Sequence, residues 1–151
     1  MIRDAAIAGA IVLALAGCAT SEPELSKAEK TTTEPFAGCV PLSADTVEAL
    51  SEGLTKQAAI TRGEAMKRPA GDVAHRLDYI AAIEIKDSTR QIGMIAMGGI
   101  KPGEGPWIAA DNIAQLYLDW GADANDDSPI KKEADKAWQS DAGNKAKACL
   151  E

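Results

Sequence analysis

His75-Arg76-Leu77-Asp78-Tyr79-Ile80-Ala81-Ala82-Ile83-Glu84-Ile85-Lys86, then Asp87-Ser88-Thr89, then Arg90-Gln91-Ile92-Gly93-Met94-Ile95-Ala96-Met97, is the stretch on which the fold turns. Leu77, Tyr79, Ala81, Ile83 and Ile85 recur at every second position, so they share one face of a strand running from His75 to Ile85. Ile80 and Ala82 make the opposite face partly apolar, which suits a central place in a sheet. Asp87-Ser88-Thr89 is turn chemistry. After it Ile92, Met94 and Ala96 alternate again, so the two runs read as a β-hairpin.

Downstream, the glycines and prolines from Gly98 to Pro106 mark a loop, and Trp107-Ile108 reads as a short further strand. Asp111 is placed to cap a helix in which Ile113, Leu116, Tyr117 and Trp120 share a face, with Gly121 ending it. Ser128-Pro129 opens another, carrying Ile130, Ala134, Ala137 and Trp138 on one side. Ser140 restarts it, with Ala142, Ala146 and Cys149 along a face. Upstream, Ser43 caps a helix bearing Val47, Leu50 and Leu54, with Asp45 in its first turn. Lys56 to Lys67 looks extended but weakly patterned, and Pro69-Ala70-Gly71 breaks the chain. No internal repeat is visible. Strands joined by short turns, with helices before and after, predict an α+β fold: an antiparallel sheet of three to four strands with helices packed on one face.

The 151 residues include three Trp, two Tyr and one Phe, so the core rests on Ile, Leu, Met and Ala. The net charge of −7 argues against nucleic acid, whose phosphates call for clustered Lys and Arg. It equally argues against a polybasic grip on anionic lipid.

The 46% apolar content is unevenly spread, with a dense block at the N-terminus, where Ala5 to Leu15 is nearly uncharged. A membrane-spanning helix needs about 20 residues, so this shorter run reads as the apolar region of a signal peptide, despite a poor basic region in which Asp4 offsets Arg3. Leu15-Ala16-Gly17-Cys18 follows, and this motif resembles the lipobox of bacterial lipoproteins. The resemblance implies that a diacylglycerol is attached to the Cys18 sulfur and that cleavage before Cys18 makes it the first mature residue. Acyl chains such as palmitate would then hold the protein at the membrane, facing the extracytoplasmic side. Two chains anchor stably where one does not. Residues 1–17 are thus expected to be a signal peptide. From Ala19 to Gly38 the composition turns to Ser, Glu, Pro, Lys and Thr, so 18–38 is expected to be a lipidated cysteine and tether, and 39–151 a single domain.

With Cys18 taken by lipid, Cys39 and Cys149 remain, at the two ends of that domain. In an oxidising compartment such a pair is expected to form a disulfide; two free thiols or an intermolecular bond are the alternatives. Tyr79-Ile80-Ala81-Ala82-Ile83-Glu84, Trp107-Ile108-Ala109-Ala110, Leu118-Asp119-Trp120-Gly121 and the late Cys149 together resemble small actinobacterial and actinophage lipoproteins of unknown function. That resemblance implies export and a similar fold, and brings no catalytic residues with it.

Few constellations bear chemistry. Asp119, Asp123, Asn125, Asp126 and Asp127 cluster, and an EF-hand-like spacing starts at Asp123. It then fails, because Ser128 stands for the required Gly and Ala134 for the bidentate Glu, so a solvated connector is expected and no metal site. His75 is alone, and acid–base chemistry there would need a partner brought by the fold; its place at a strand start reads as structural or exposed. The glycine-rich loop fits neither dinucleotide nor phosphate-binding spacing. Trp120 and Trp138 lie on apolar helical faces and are expected in the core, whereas Trp107 is uncommitted. No catalytic residue and no cofactor is assigned. The sequence therefore favours a membrane-anchored, non-enzymatic module that binds an extracytoplasmic protein partner. The small tethered domain and the second resemblance suggest, within that class, a phage- or prophage-borne product that interferes with superinfection. An envelope hydrolase with a site assembled only in the fold, and a structural envelope lipoprotein, are the alternatives.

Overall fold

The two alternating runs become adjacent central strands. A computed structural model of the chain describes residues 38–121, 125 and 127–151. Cys18, residues 1–17 and the tether up to residue 37 lie outside the described residues. The strands are β1 (Cys39–Pro41), β2 (Ala59–Lys67), β3 (Tyr79–Lys86), β4 (Arg90–Met97) and β5 (Trp107–Ala109). They form one antiparallel sheet in sequence order, β1-β2-β3-β4-β5. Around it lie α1 (Ala44–Ser51), α2 (Asn112–Tyr117), α3 (Pro129–Trp138) and α4 (Asp141–Leu150). The fold is α+β, with five strands where three to four were expected.

Register explains the packing. Ile83 of β3 stands opposite Gly63 and Gly93, and Ala81 opposite Ala65 and Ile95. This face, with Ile85, Met97 and Trp107, is covered by Leu50 of α1 and by Ala114 and Tyr117 of α2. Ile80, Ala82, Met94 and Ala96 point the other way, against Ala134 and Ala137 of α3 and Ala142, Ala146 and Leu150 of α4. The C-terminal helices thus share one face, and the apolar Ile80 and Ala82 are the residues they bury. The short helices α1 and α2 close the opposite face, so helices cover both faces of the sheet where one was expected. Small residues dominate the sheet–helix contacts, so backbones approach closely: a Cβ on Gly93 would lie 3.1 Å from the Ala114 backbone nitrogen.

Local chemistry sets the helix ends. The side chains of Ser43, Asp111, Ser128 and Ser140 accept from the third residue beyond each, capping the four helices as anticipated. The α2 helix stops at Tyr117, earlier than the periodicity suggests. The segment after it pairs with the end of α1: Leu118 bridges Leu54, Thr55 N donates to Tyr117 O, and Asp119 N donates to Gly53 O. Gly121 still turns the chain, at φ 80°. Trp120 therefore leaves the helix, packs edge-on against Trp107 with ring centroids 5.2 Å apart, and donates from Nε1 to the Leu50 carbonyl at the end of α1. The strand expected from His75 begins only at Tyr79. Arg76 takes φ 61° in the bend before it.

Cys39 and Cys149 are disulfide-bonded, with Cα atoms 6.6 Å apart and a sequence separation of 110. The bond joins the edge strand β1 to the last turn of α4. Beneath that turn a second tie forms. Arg62 and Arg90 both donate to the Leu150 carbonyl, and both flank Glu84. Two guanidinium groups at a helix C-terminus thus satisfy a carbonyl that has no partner within the helix. The Arg90 and Thr61 hydrogen bonds hold the Glu84 carboxyl down at about 2. Among the described residues, no helix is long and apolar enough to cross a membrane.

Candidate functional site

The longest excursion between central strands runs from Arg68 to Asp78, where Pro69 ends β2 and a 3-10 turn over Ala70–Asp72 follows. Its backbone is closed at the base by Arg68 N donating to Asp78 O. Arg68, though a cation, is 5% exposed. Its Nη1 donates to the Leu77 carbonyl at 2.6 Å and to Glu133 Oε1 of α3 at 2.8 Å, and its Nη2 donates to the Asp72 carbonyl. One guanidinium thus fixes both arms of the loop and ties them to a helix.

Glu133, also buried, completes the junction. Its Oε2 accepts from the backbone nitrogens of Ala74 and His75, at 3.2 and 2.6 Å, and lies 2.8 Å from His75 Nδ1. Burial pushes this carboxyl up, but the hydrogen bonds from Arg68, His75 and the two backbone N–H groups outweigh it and hold the group below its ordinary range. An ionised carboxylate only accepts, so the Nδ1 of His75 carries the proton. Nε2 has no partner among the described residues, and the imidazole side chain is 41% exposed.

This junction forms one wall of a solvent-accessible cleft of about 410 Å³. The loop contributes Arg68, Asp72, Ala74 and His75. The α3 helix contributes Pro129, Lys132, Glu133 and Lys136, one helical face at a spacing of three and four residues, and Ser140 lies at the start of α4. Among the described residues, Lys132 pairs only with the exposed Asp127, at 3.4 Å. Lys136 has no ion-pair partner among the described residues.

The sequence-derived candidates divide accordingly. His75, solitary in the sequence, acquires Glu133 and Arg68 as neighbours. Neither was singled out, and nothing in their positions, 65 residues apart, connects them. Of the acidic cluster, Asp123 and Asp126 lie outside the described residues. The remaining members, Asp119, Asn125 and Asp127, belong to no grouping of metal-ligating side chains among the described residues. The glycine-rich loop is a packed connector: Gly98 N donates to Pro106 O, Trp107 Nε1 to Gly99 O, and the buried Thr46 hydroxyl to Ile100 O. Trp107 is buried and Trp120 half-buried in the core, whereas Trp138 is 37% exposed, because α3 turns its Ala134 and Ala137 face, not that of Trp138, to the sheet. Compared with protein families, curated proteins and solved structures, the chain matches none.

Proposed function

We propose that this chain is a lipid-anchored extracytoplasmic binding protein, held at the cell membrane through Cys18, which presents the cleft beside His75 to a ligand or partner outside the cell. The anchor rests on the Leu15-Ala16-Gly17-Cys18 motif. The observation that carries the binding reading is the state of the cleft: an imidazole fixed at Nδ1, with Nε2 open, beside two lysines on one helix face. A concave site with a few convergent polar groups on rigid elements is the usual form of a binding site. Glu133 weighs against a carboxylate-pair hydrolase, since both of its oxygens are occupied by donors and it is held ionised. It positions the imidazole and has no proton to deliver.

Two measurements test this. Intact mass of the membrane-extracted protein should give a chain starting at Cys18 with a diacylglycerol-sized addition; a soluble chain retaining residues 1–17 refutes the anchor. Amine acylation on whole cells, read by mass spectrometry, should label Lys132 and Lys136 less than in the purified protein while other lysines are unchanged. Equal labelling in both samples refutes occupancy of the cleft.

A further inference from the structure

We propose that the cleft takes an oxyanion, a phosphate or carboxylate group borne on a small organic body, held by Lys132, Lys136 and the Nε2 of His75; this rests on the binding reading above. The charges decide the sign of the ligand. Glu133 is spoken for by Arg68 at 2.8 Å and by three further donors, so the charges of that buried pair compensate each other. What remains is two lysine ammonium groups against one carboxylate, Asp72, with the imidazole able to add a further positive charge. A chain of net charge −7 therefore carries a locally cationic concavity, a reversal that surface averaging does not produce by itself.

The lysines are available. Among the described residues, Lys132 pairs only with Asp127, at 3.4 Å, an aspartate 97% exposed, and such pairs hold weakly in water. Lys136 sits one turn further along the same face, so both lysines line the one cleft. The imidazole differs from them in being rigid. Glu133 grips its Nδ1 and its backbone nitrogen together, leaving Nε2 as the direction-specific contact in a cleft that two flexible charges also line. When protonated it donates to an oxyanion oxygen. Size sets the rest. A volume of about 410 Å³ lies toward the small end of ligand sites, and Pro129 and Ala74 supply apolar wall for a few carbons and no more.

His75 is the sole histidine of the chain, so its ring Cε1–H gives one unambiguous NMR signal. The full chain in detergent micelles is titrated with inorganic phosphate, and separately with acetate, at ionic strength held constant with chloride so that screening does not change. A saturating shift of that signal is expected with at least one anion, and which of the two saturates at lower concentration assigns phosphate or carboxylate. In Lys132→Gln/Lys136→Gln, which alters exposed side chains and leaves the buried junction intact, the same shift should need at least about tenfold more anion. No saturating shift with either anion overturns the proposal. So does saturation that is unchanged in the double variant, which would place the anion elsewhere. Cell-surface protection of Lys132 and Lys136 with both anions silent would retain a binding cleft and reject the oxyanion.

Discussion

Removing the Glu133 side chain should destabilise the domain far more than a surface change. In Glu133→Ala, the Arg68 guanidinium, with 3% of its side chain exposed, loses its counter-charge while remaining buried. Breaking a buried pair by deleting one member costs about 3–5 kcal/mol, because the surviving charge is left uncompensated. The backbone nitrogens of Ala74 and His75 also lose an acceptor, but both residues are exposed and water replaces it, so this adds little. Against a total stability of about 5–15 kcal/mol for a domain of this size, the loss is large. With urea sensitivities of about 1–3 kcal/mol per molar, the midpoint should fall by at least about 1 M. The assay is urea unfolding of the purified chain with its disulfide intact. Arg68→Met/Glu133→Leu, which removes both charges, should lose less than the two single variants combined, the difference being their coupling. A loss under about 1 kcal/mol in Glu133→Ala, or strict additivity in the double variant, would refute the claim that this pair holds the loop to α3. Acid supplies an independent check. The folded carboxyl titrates below its ordinary value of 4.5, so its stabilisation is present above that pH and is lost as pH falls through the lowered folded value. Glu133→Gln should weaken that acid dependence.

Three further outcomes follow from other parts of the fold. Cys39→Ser/Cys149→Ser opens a loop of 110 residues and should cost about 3–5 kcal/mol, read by urea unfolding, with faster amide exchange in β1 and the last turn of α4; unchanged exchange there would show that the bond pins nothing. Glu84→Gln should match the wild type near pH 2 and be less stable above 4.5, because the folded carboxyl titrates at about 2; a gap independent of pH would assign the loss to packing. Gly143→Ala gains about 1 kcal/mol of helix propensity. Its Cβ, however, would strike the Trp138 carbonyl and come within 2.8 Å of that of Ala137, so a net loss of about 1–3 kcal/mol is expected by thermal unfolding; stabilisation would show that the α3–α4 corner is loose.

What the sequence discloses depends on whether a residue's role is local. The alternation in 79–97 is visible because β3 and β4 are apolar on faces buried by other elements. The four caps are visible because each serves a backbone nitrogen three residues away. Residues 59–67 hide their strand for a physical reason. Arg62 and Glu64 face the same side as the buried Met66, and Arg62 is spent on Glu84 and on the carbonyl end of α4, so polar residues occupy places where a strand pattern expects apolar ones. The premature end of α2 is equally non-local, since Leu118 bridges Leu54 and no capping residue announces it. The site is the extreme case. His75 is a notable letter in the sequence, but its meaning comes from a carboxylate 58 positions away and a guanidinium on another strand end.

The energetics of that junction bear on what it is for. A loop can be fastened to a helix by apolar contacts, and exchanging a buried ion pair for well-packed apolar residues is often neutral or stabilising. This domain packs sheet to helix largely with Ala, Ile and Leu, so the apolar solution is the one its own core uses. At the 68–78 loop it instead buries an arginine and a glutamate, leaving Arg68 Nε without a partner among the described residues. Fastening alone does not call for that arrangement. Orientation does: a leucine at position 133 would hold the helix down but would not fix Nδ1 of an exposed imidazole and leave Nε2 for the cleft that the two lysines line. Stability measurements and anion titrations on the same variants therefore separate the two roles. Arg68→Met/Glu133→Leu should remain folded and lose the phosphate- or acetate-induced shift of His75, whereas a purely structural junction would leave that shift in place wherever the fold survives.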